Sequence, residues 1–129
     1  MTPKKTLPVD AYRKTEVLTA SRESILLMLY SGAIRFIRLA IDASDKKDLP
    51  SKAKYTTKAQ DIVNELRATL NFEVGQEISN NLERLYLFAS RCLVQSTLDK
   101  SSAPLHEALK VLETLSKAWE EAIDNLKKA

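Results

Sequence analysis

Cysteine, histidine and glycine are nearly missing from this 129-residue chain, which holds one Cys, one His, two Gly and four Pro. Each scarcity closes off a class of chemistry. A single cysteine, Cys92, can form neither an internal disulfide nor an all-cysteine metal site. With only Gly32 and Gly75, no glycine-rich phosphate loop can be built. A di-iron bundle needs paired Glu-x-x-His ligands, and three residues before the lone His106 stands Ala103. No metal, cofactor or catalytic residue is assigned on this reading. No unbroken apolar run approaches the roughly 18 residues that cross a bilayer. The opening Met-Thr-Pro-Lys-Lys-Thr-Leu-Pro leads into polar sequence, unlike a signal peptide. A cytoplasmic protein without membrane insertion is expected.

Strong charge is missing as well. The net charge is +3, but residues 1–20 carry four basic and two acidic side chains, so the remainder is close to neutral. Nucleic-acid binding needs Lys and Arg clustered on one face to displace counterions, and no such stripe is present. The pI near 9 therefore argues for no nucleic-acid partner.

What the chain does have is helix. Hydrophobic residues make up 44% and charged residues 29%, with few turn formers and few β-branched clusters. Residues 1–20 hold two prolines and scattered apolar residues, which predicts an irregular N-terminal arm. Ser21 can cap a first helix over about 21–45, with Glu23 at the positive end of its dipole and a seam of Leu26, Tyr30, Ala33, Ile37 and Ala40. Pro50 breaks the pattern. A second helix is predicted over about 51–70, with Tyr55, Ala59, Ile62, Leu66 and Leu70 on one face. The third is predicted over about 76–98 on Ile78, Leu82, Leu85, Ala89, Cys92 and Ser96. A fourth, about 102–127, has Pro104 in its first turn, where a missing N–H costs nothing; its stripe is Leu105, Ala108, Leu112, Leu115, Trp119, Ala122 and Leu126. Short polar loops make neighbours antiparallel, so the expected fold is all-α, an up-down-up-down four-helix bundle over residues 21–129 behind the arm.

More apolar surface is present than one seam per helix requires. Ile25 to Tyr30 is an unbroken apolar run, and Ile34, Phe36, Leu39, Val63, Tyr86, Leu87, Phe88, Val94 and Leu98 also lie beside the seams. Either these flanks pack into a thick core or they form a groove for another chain. Two rivals use other features: a phosphotransfer bundle acting through His106, and a structural homodimer that covers the flanks by self-association. Cys92 and Trp119 fit the seam spacing and read as core.

The ordered set Ala11-Tyr12, Val17-Leu18-Thr19-Ala20-Ser21, Leu27-Met28-Leu29-Tyr30, Gly32-Ala33-Ile34-Arg35-Phe36, Lys58 through Leu66, Leu70-Asn71-Phe72-Glu73, Asn81-Leu82, Leu85-Tyr86 and Trp119 resembles the flagellin-specific export chaperones of the FliS family. The resemblance implies a helical bundle that binds the C-terminal segment of flagellin in the cytoplasm, prevents its premature polymerisation and keeps it competent for type III export. It implies no cofactor and no catalysis. It points to an export-gate component and other flagellar regulators as further partners. The arm, including Tyr12 and Leu18, would cover part of the binding surface when flagellin is absent. The groove residues expected on this basis are Ile62, Leu66, Leu70 and Phe72 around the end of the second helix, and Tyr86 and Leu87 on the third. Family members commonly carry Pro after the capping Ser and Asp before the glycine of the first helix; here these are Arg22 and Ser31. Gly32 suggests close approach of another backbone, from packing or from a ligand.

Overall fold

Four α-helices account for nearly all of the described chain: α1 Arg22–Asp45, α2 Leu49–Ala68, α3 Gln76–Leu98 and α4 Ala103–Lys128. The computed structural model describes residues 22–70 and 75–128. Each helix packs on its neighbours in sequence, and α1 also packs on α4, which closes the ring into a four-helix bundle. The arm, with Tyr12 and Leu18, the expected cap Ser21 and the loop residue Phe72 lie outside the described residues.

The α1–α2 connection shows how local chemistry sets the geometry. Lys47 adopts φ +60°; its N–H reaches Ser44 O at 3.0 Å while the N–H of Asp48 reaches Ala43 O at 2.9 Å. That pair of bonds is a Schellman ending, in which a left-handed residue satisfies the last carbonyls of a helix. The Asp48 carboxylate then accepts from Ser51 N at 3.2 Å and caps α2. Hydrogen bonding to Ser51 holds this carboxyl below the usual carboxylate range. Three residues thus end one helix and start the next. Pro50, expected to precede α2, lies in its first turn, where its fixed φ suits the helix and no intrahelical N–H is needed.

At the other end, Asp99 accepts from Ser101 N at 2.9 Å, and Ser102 O receives the first α4 bond from His106 N at 3.1 Å. Lys52 ties the two ends together. Its stem is buried and its Nζ donates to Asp99 O at 2.8 Å, so the ammonium meets the negative end of the α3 dipole.

The core is built from Tyr30, Ala33, Ile37 and Ala40 on α1, Ala59, Val63 and Leu66 on α2, Leu82, Tyr86, Ala89 and Leu93 on α3, and Leu105, Ala108 and Leu112 on α4. Every helix places at least one buried alanine inward, which lets the axes approach closely. Each buried Leu or Ile adds about 1.5–3 kcal/mol of transfer free energy.

Three expected seams are displaced. In α2 the buried row is Lys52, Thr56, Ala59, Val63 and Leu66, so Tyr55 and Ile62 become flanks facing α1, and Val63 is core instead of surplus. In α3 it is Ser79, Leu82, Tyr86, Ala89, Leu93 and Ser96, with Cys92 beside it; Ile78 and Leu85 fall outside. In α4, Ala122 and Leu126 are exposed while Ile123 is buried. The last shift is geometric. A straight α-helix drifts about 20° per heptad against a strict seven-residue repeat, so the stripe running from Leu105 through Trp119 leaves the seam and Ile123 takes its place.

Among the described helices, α1 alone is long and apolar enough to cross a bilayer, with mean hydropathy 1.6 over its most apolar window. That window contains Arg35 and Arg38, and its Tyr30, Ala33, Ile37 and Ala40 stripe is enclosed by the bundle.

Candidate functional site

Helix α3 is covered along its middle and bare along both edges. One row is Ile78 and Leu85, continuing in the same seven-residue register to Cys92, with Phe88 alongside. Burial pushes the Cys92 thiol up, and the Glu107 carboxylate on α4 adds to that shift, which places this row on the α4 side. The other row is Leu87, Val94 and Leu98. It shares the helix face of Glu83 and Ser90, which bond to Arg67 and Gln60 of α2, and so lies on the α2 side. Ile78, Val94 and Leu98 are 51%, 55% and 78% exposed; side chains so open gain little from this bundle and are available to another chain. At 1.5 Å per residue the two rows run along roughly 30 Å of helix.

Between the rows, α3 is held by polar as well as apolar contacts. The Tyr30 and Tyr86 hydroxyls meet at 2.5 Å, and the rings tilt at 47° with centroids 6.3 Å apart. This contact ties α1 to α3, and Trp119 of α4 packs half-buried against the same core. Burial raises the pKa of both tyrosines. On the α2 side, Gln60 Nε2 donates to Ser90 Oγ at 2.5 Å and Arg67 lies 3.9 Å from Glu83.

The expected groove residues divide. Leu66 and Tyr86 are enclosed core residues: the Tyr86 hydroxyl has a buried partner in Tyr30. Ile62 is half-buried and its Cδ1 lies 3.1 Å from where a Cβ on Gly32 would stand; it wedges between α2 and α1, on the opposite side of α2 from Leu87. Leu70 is half-buried just past the end of α2, and Leu87 half-buried on the α2 edge of α3. Ile62 and Leu87 therefore do not share one surface. Gly32 has a packing role, since Ile62 fills the space over it. The exposed residues that the periodicity assigned to the interior are Ile78, Leu85, Ala122 and Leu126. Apolar residues at 78, 82, 85 and 89 fit one seam as well as 79, 82, 86 and 89 do, and only the Tyr30 partner of Tyr86 decides between them.

His106 is exposed in the first turn of α4. Among the described residues, no group of three or more His, Cys, Asp or Glu is arranged to hold a metal ion.

The sequence profile of the family described as flagellar protein FliS matches residues 5–126. The flagellar secretion chaperone FliS of Bacillus subtilis is 35% identical over 121 residues, covering 94% of this chain and 90% of that protein. The FliS of Vibrio cholerae is 29% identical over 117 residues, covering 88% and 86%. A crystal structure of a bacterial flagellar chaperone matches with TM-score 0.76 at 17% identity, over 92% of this chain and 99% of the other, which speaks for the fold alone. Matched by the family profile over residues 5–126 and by a 35% identical relative along nearly all of its length, this four-helix bundle belongs to the FliS family of flagellar secretion chaperones.

Proposed function

We propose that this protein is a cytoplasmic, non-enzymatic holdase for the C-terminal segment of flagellin, which lies along the two apolar edges of α3. The observation that carries this reading is the pair of rows Ile78, Leu85, Phe88 and Leu87, Val94, Leu98 on either side of a covered seam. An amphipathic segment disordered in the free state can lay its apolar side on such rows, burying area along a wrapped path in exchange for ordering entropy. Holding needs no ATP. The bound segment is withdrawn by mass action from the pool that would polymerise, and it stays unfolded for the type III export apparatus. The arm, through Tyr12 and Leu18, is the internal competitor in this scheme. A plug worth about 1.4 kcal/mol weakens flagellin binding about tenfold.

Titration of the full chain with a flagellin C-terminal peptide tests this. Ile78→Asp with Phe88→Asp, and separately Val94→Asp with Leu98→Asp, should each weaken binding about tenfold or more, with the helical circular-dichroism signal unchanged. Unaltered affinity in both variants would overturn the reading. A tight dimer that ignores the peptide would replace it with self-association.

A further inference from the structure

The α1–α2 face carries a second, chemically different surface. Phe36 of α1 and Tyr55 of α2, both half-buried, stack with centroids 6.2 Å apart at 20°. Three cations lie over them: Arg35 Cζ is 5.3 Å and Lys58 Nζ 5.6 Å from the Phe36 centroid, and Lys54 Nζ is 5.6 Å from that of Tyr55. Their neighbours are neutralised, Arg38 by Glu113 and Lys46 by Asp42. Among the described residues, Arg35, Lys54 and Lys58 have no carboxylate partner. Lys54 and Lys58 are also one turn apart, a like-charge spacing that costs a helix stability. Each exposed cation lies over a ring face, a contact worth about 0.5–1 kcal/mol at such a site, so the three charges sit together on one face.

Apolar surface adjoins the charges. Met28 is 62% exposed, and it borders a shallow depression of about 390 Å³ formed with Leu27, Ser31, Gly32 and Arg35. Across Arg35 a second, mixed depression of about 610 Å³ runs toward α4, with Ile34 and Leu39 beside Arg38, Asp42 and Glu120; the apolar contact is therefore on the Met28 side. Ser31, small and exposed, lines both depressions. The stripe from Met28 to Leu39 is about 16 Å long, the span of three helical turns.

We infer that this face docks an acidic amphipathic helix of a partner protein, its apolar side against Met28 and the Gly32 depression and its carboxylates on Arg35, Lys54 and Lys58. Three neighbouring cations match a few carboxylates on one helix; a membrane surface would call for a cluster of about four to eight basic residues. The face lies on α1 and α2, away from the α3 edges that the proposed flagellin reading uses. A loaded chaperone could thus be handed to an acidic receptor.

The test is an amide-shift titration of the full chain with a synthetic Glu/Leu amphipathic peptide and its Gln/Leu counterpart. Shifts should concentrate on residues around Met28, Arg35, Lys54 and Lys58, fade with salt, and be absent with the Gln peptide. Lys54→Glu with Lys58→Glu should weaken the acidic peptide about tenfold while leaving the flagellin C-terminal peptide unaffected; Lys54→Gln with Lys58→Gln, which adds no repulsion, should do so more mildly. Shifts centred on α3, equal binding of the Gln peptide, or binding to phosphatidylserine vesicles but not to the peptide would each overturn the inference. Acidic-peptide binding in a protein that ignores flagellin peptide would uphold this surface and sink the cargo reading, so the two fail separately.

Discussion

The α1–α2 interface and the edges of α3 put the same kind of side chain to opposite uses. Between α1 and α2, Gly32, Ala33, Ala40 and Ala59 bring the helices close, and the large residues Phe36, Tyr55 and Ile62 fold over the joint to be half covered. On α3 the large residues Ile78, Val94 and Leu98 stand beside the seam, and none of the described helices covers them. Apolar content alone thus does not make a binding surface. What matters is whether the facing residues are small enough for helices to close over the flanks, and on α3 they do not close.

The sharpest way to break that contrast is to truncate one leucine from each kind of site. Leu66 is fully enclosed, so Leu66→Ala should lose about 2–5 kcal/mol of stability through lost transfer energy and a residual cavity. Leu98→Ala, at the open end of α3, should change stability by no more than about 0.5 kcal/mol. Urea midpoints at constant slope measure both. If Leu98→Ala cost as much as Leu66→Ala, the α3 edge would be covered in solution and the cargo surface would be lost.

A smaller effect separates the α3 seam from its edges by pH. Burial, reinforced for Tyr30 by the neighbouring Tyr86, pushes both tyrosine pKa values above their ordinary 10.0. The unfolded chain therefore gives up these protons at lower pH than the folded one. The stabilisation is complete below about pH 10 and is lost as pH rises toward the folded values. Tyr86→Phe leaves the buried Tyr30 hydroxyl without its partner, which costs about 1–3 kcal/mol at neutral pH, and should flatten the alkaline loss. Denaturation midpoints between pH 8 and about 11 would show it; an unchanged alkaline slope in Tyr86→Phe would mean that the pair is not held as described.

Helix number, order and most boundaries were legible from periodicity, because capping residues and prolines mark ends locally. The α1 seam of Tyr30, Ala33, Ile37 and Ala40 was legible for the same reason. The α2 and α3 seams, and the last two turns of the α4 seam, were not. Lys52 and Thr56 look like solvent residues, and Lys52 is interior only because the Asp99 carbonyl waits 47 positions away to receive its proton. Tyr86 looked like surplus surface, and its inward turn depends on a hydroxyl on another helix. The excess of apolar residues on α3 was visible in the sequence. Which of them remain outside required a register that only tertiary hydrogen bonds fix.

The finest test of the comparison is Gly32. Replacing a helical Gly with Ala gains about 1 kcal/mol of backbone preference, but a Cβ here would stand 3.1 Å from Ile62 Cδ1, so the Ile62 tip must give by a few tenths of an ångström. That tip is the far end of a flexible chain and can rotate; Gly32→Ala should therefore be neutral to about 1 kcal/mol stabilising. Adding Ile62→Val removes the conflicting methyl, and the helix gain should then appear in full on top of the roughly 0.5–1.5 kcal/mol cost of the truncation. A double-mutant cycle isolates the coupling. Positive coupling means that α1 and α2 touch at Gly32 as tightly as the geometry says. Strict additivity would mean that the joint is looser, and the contrast with the open α3 edges would shrink accordingly.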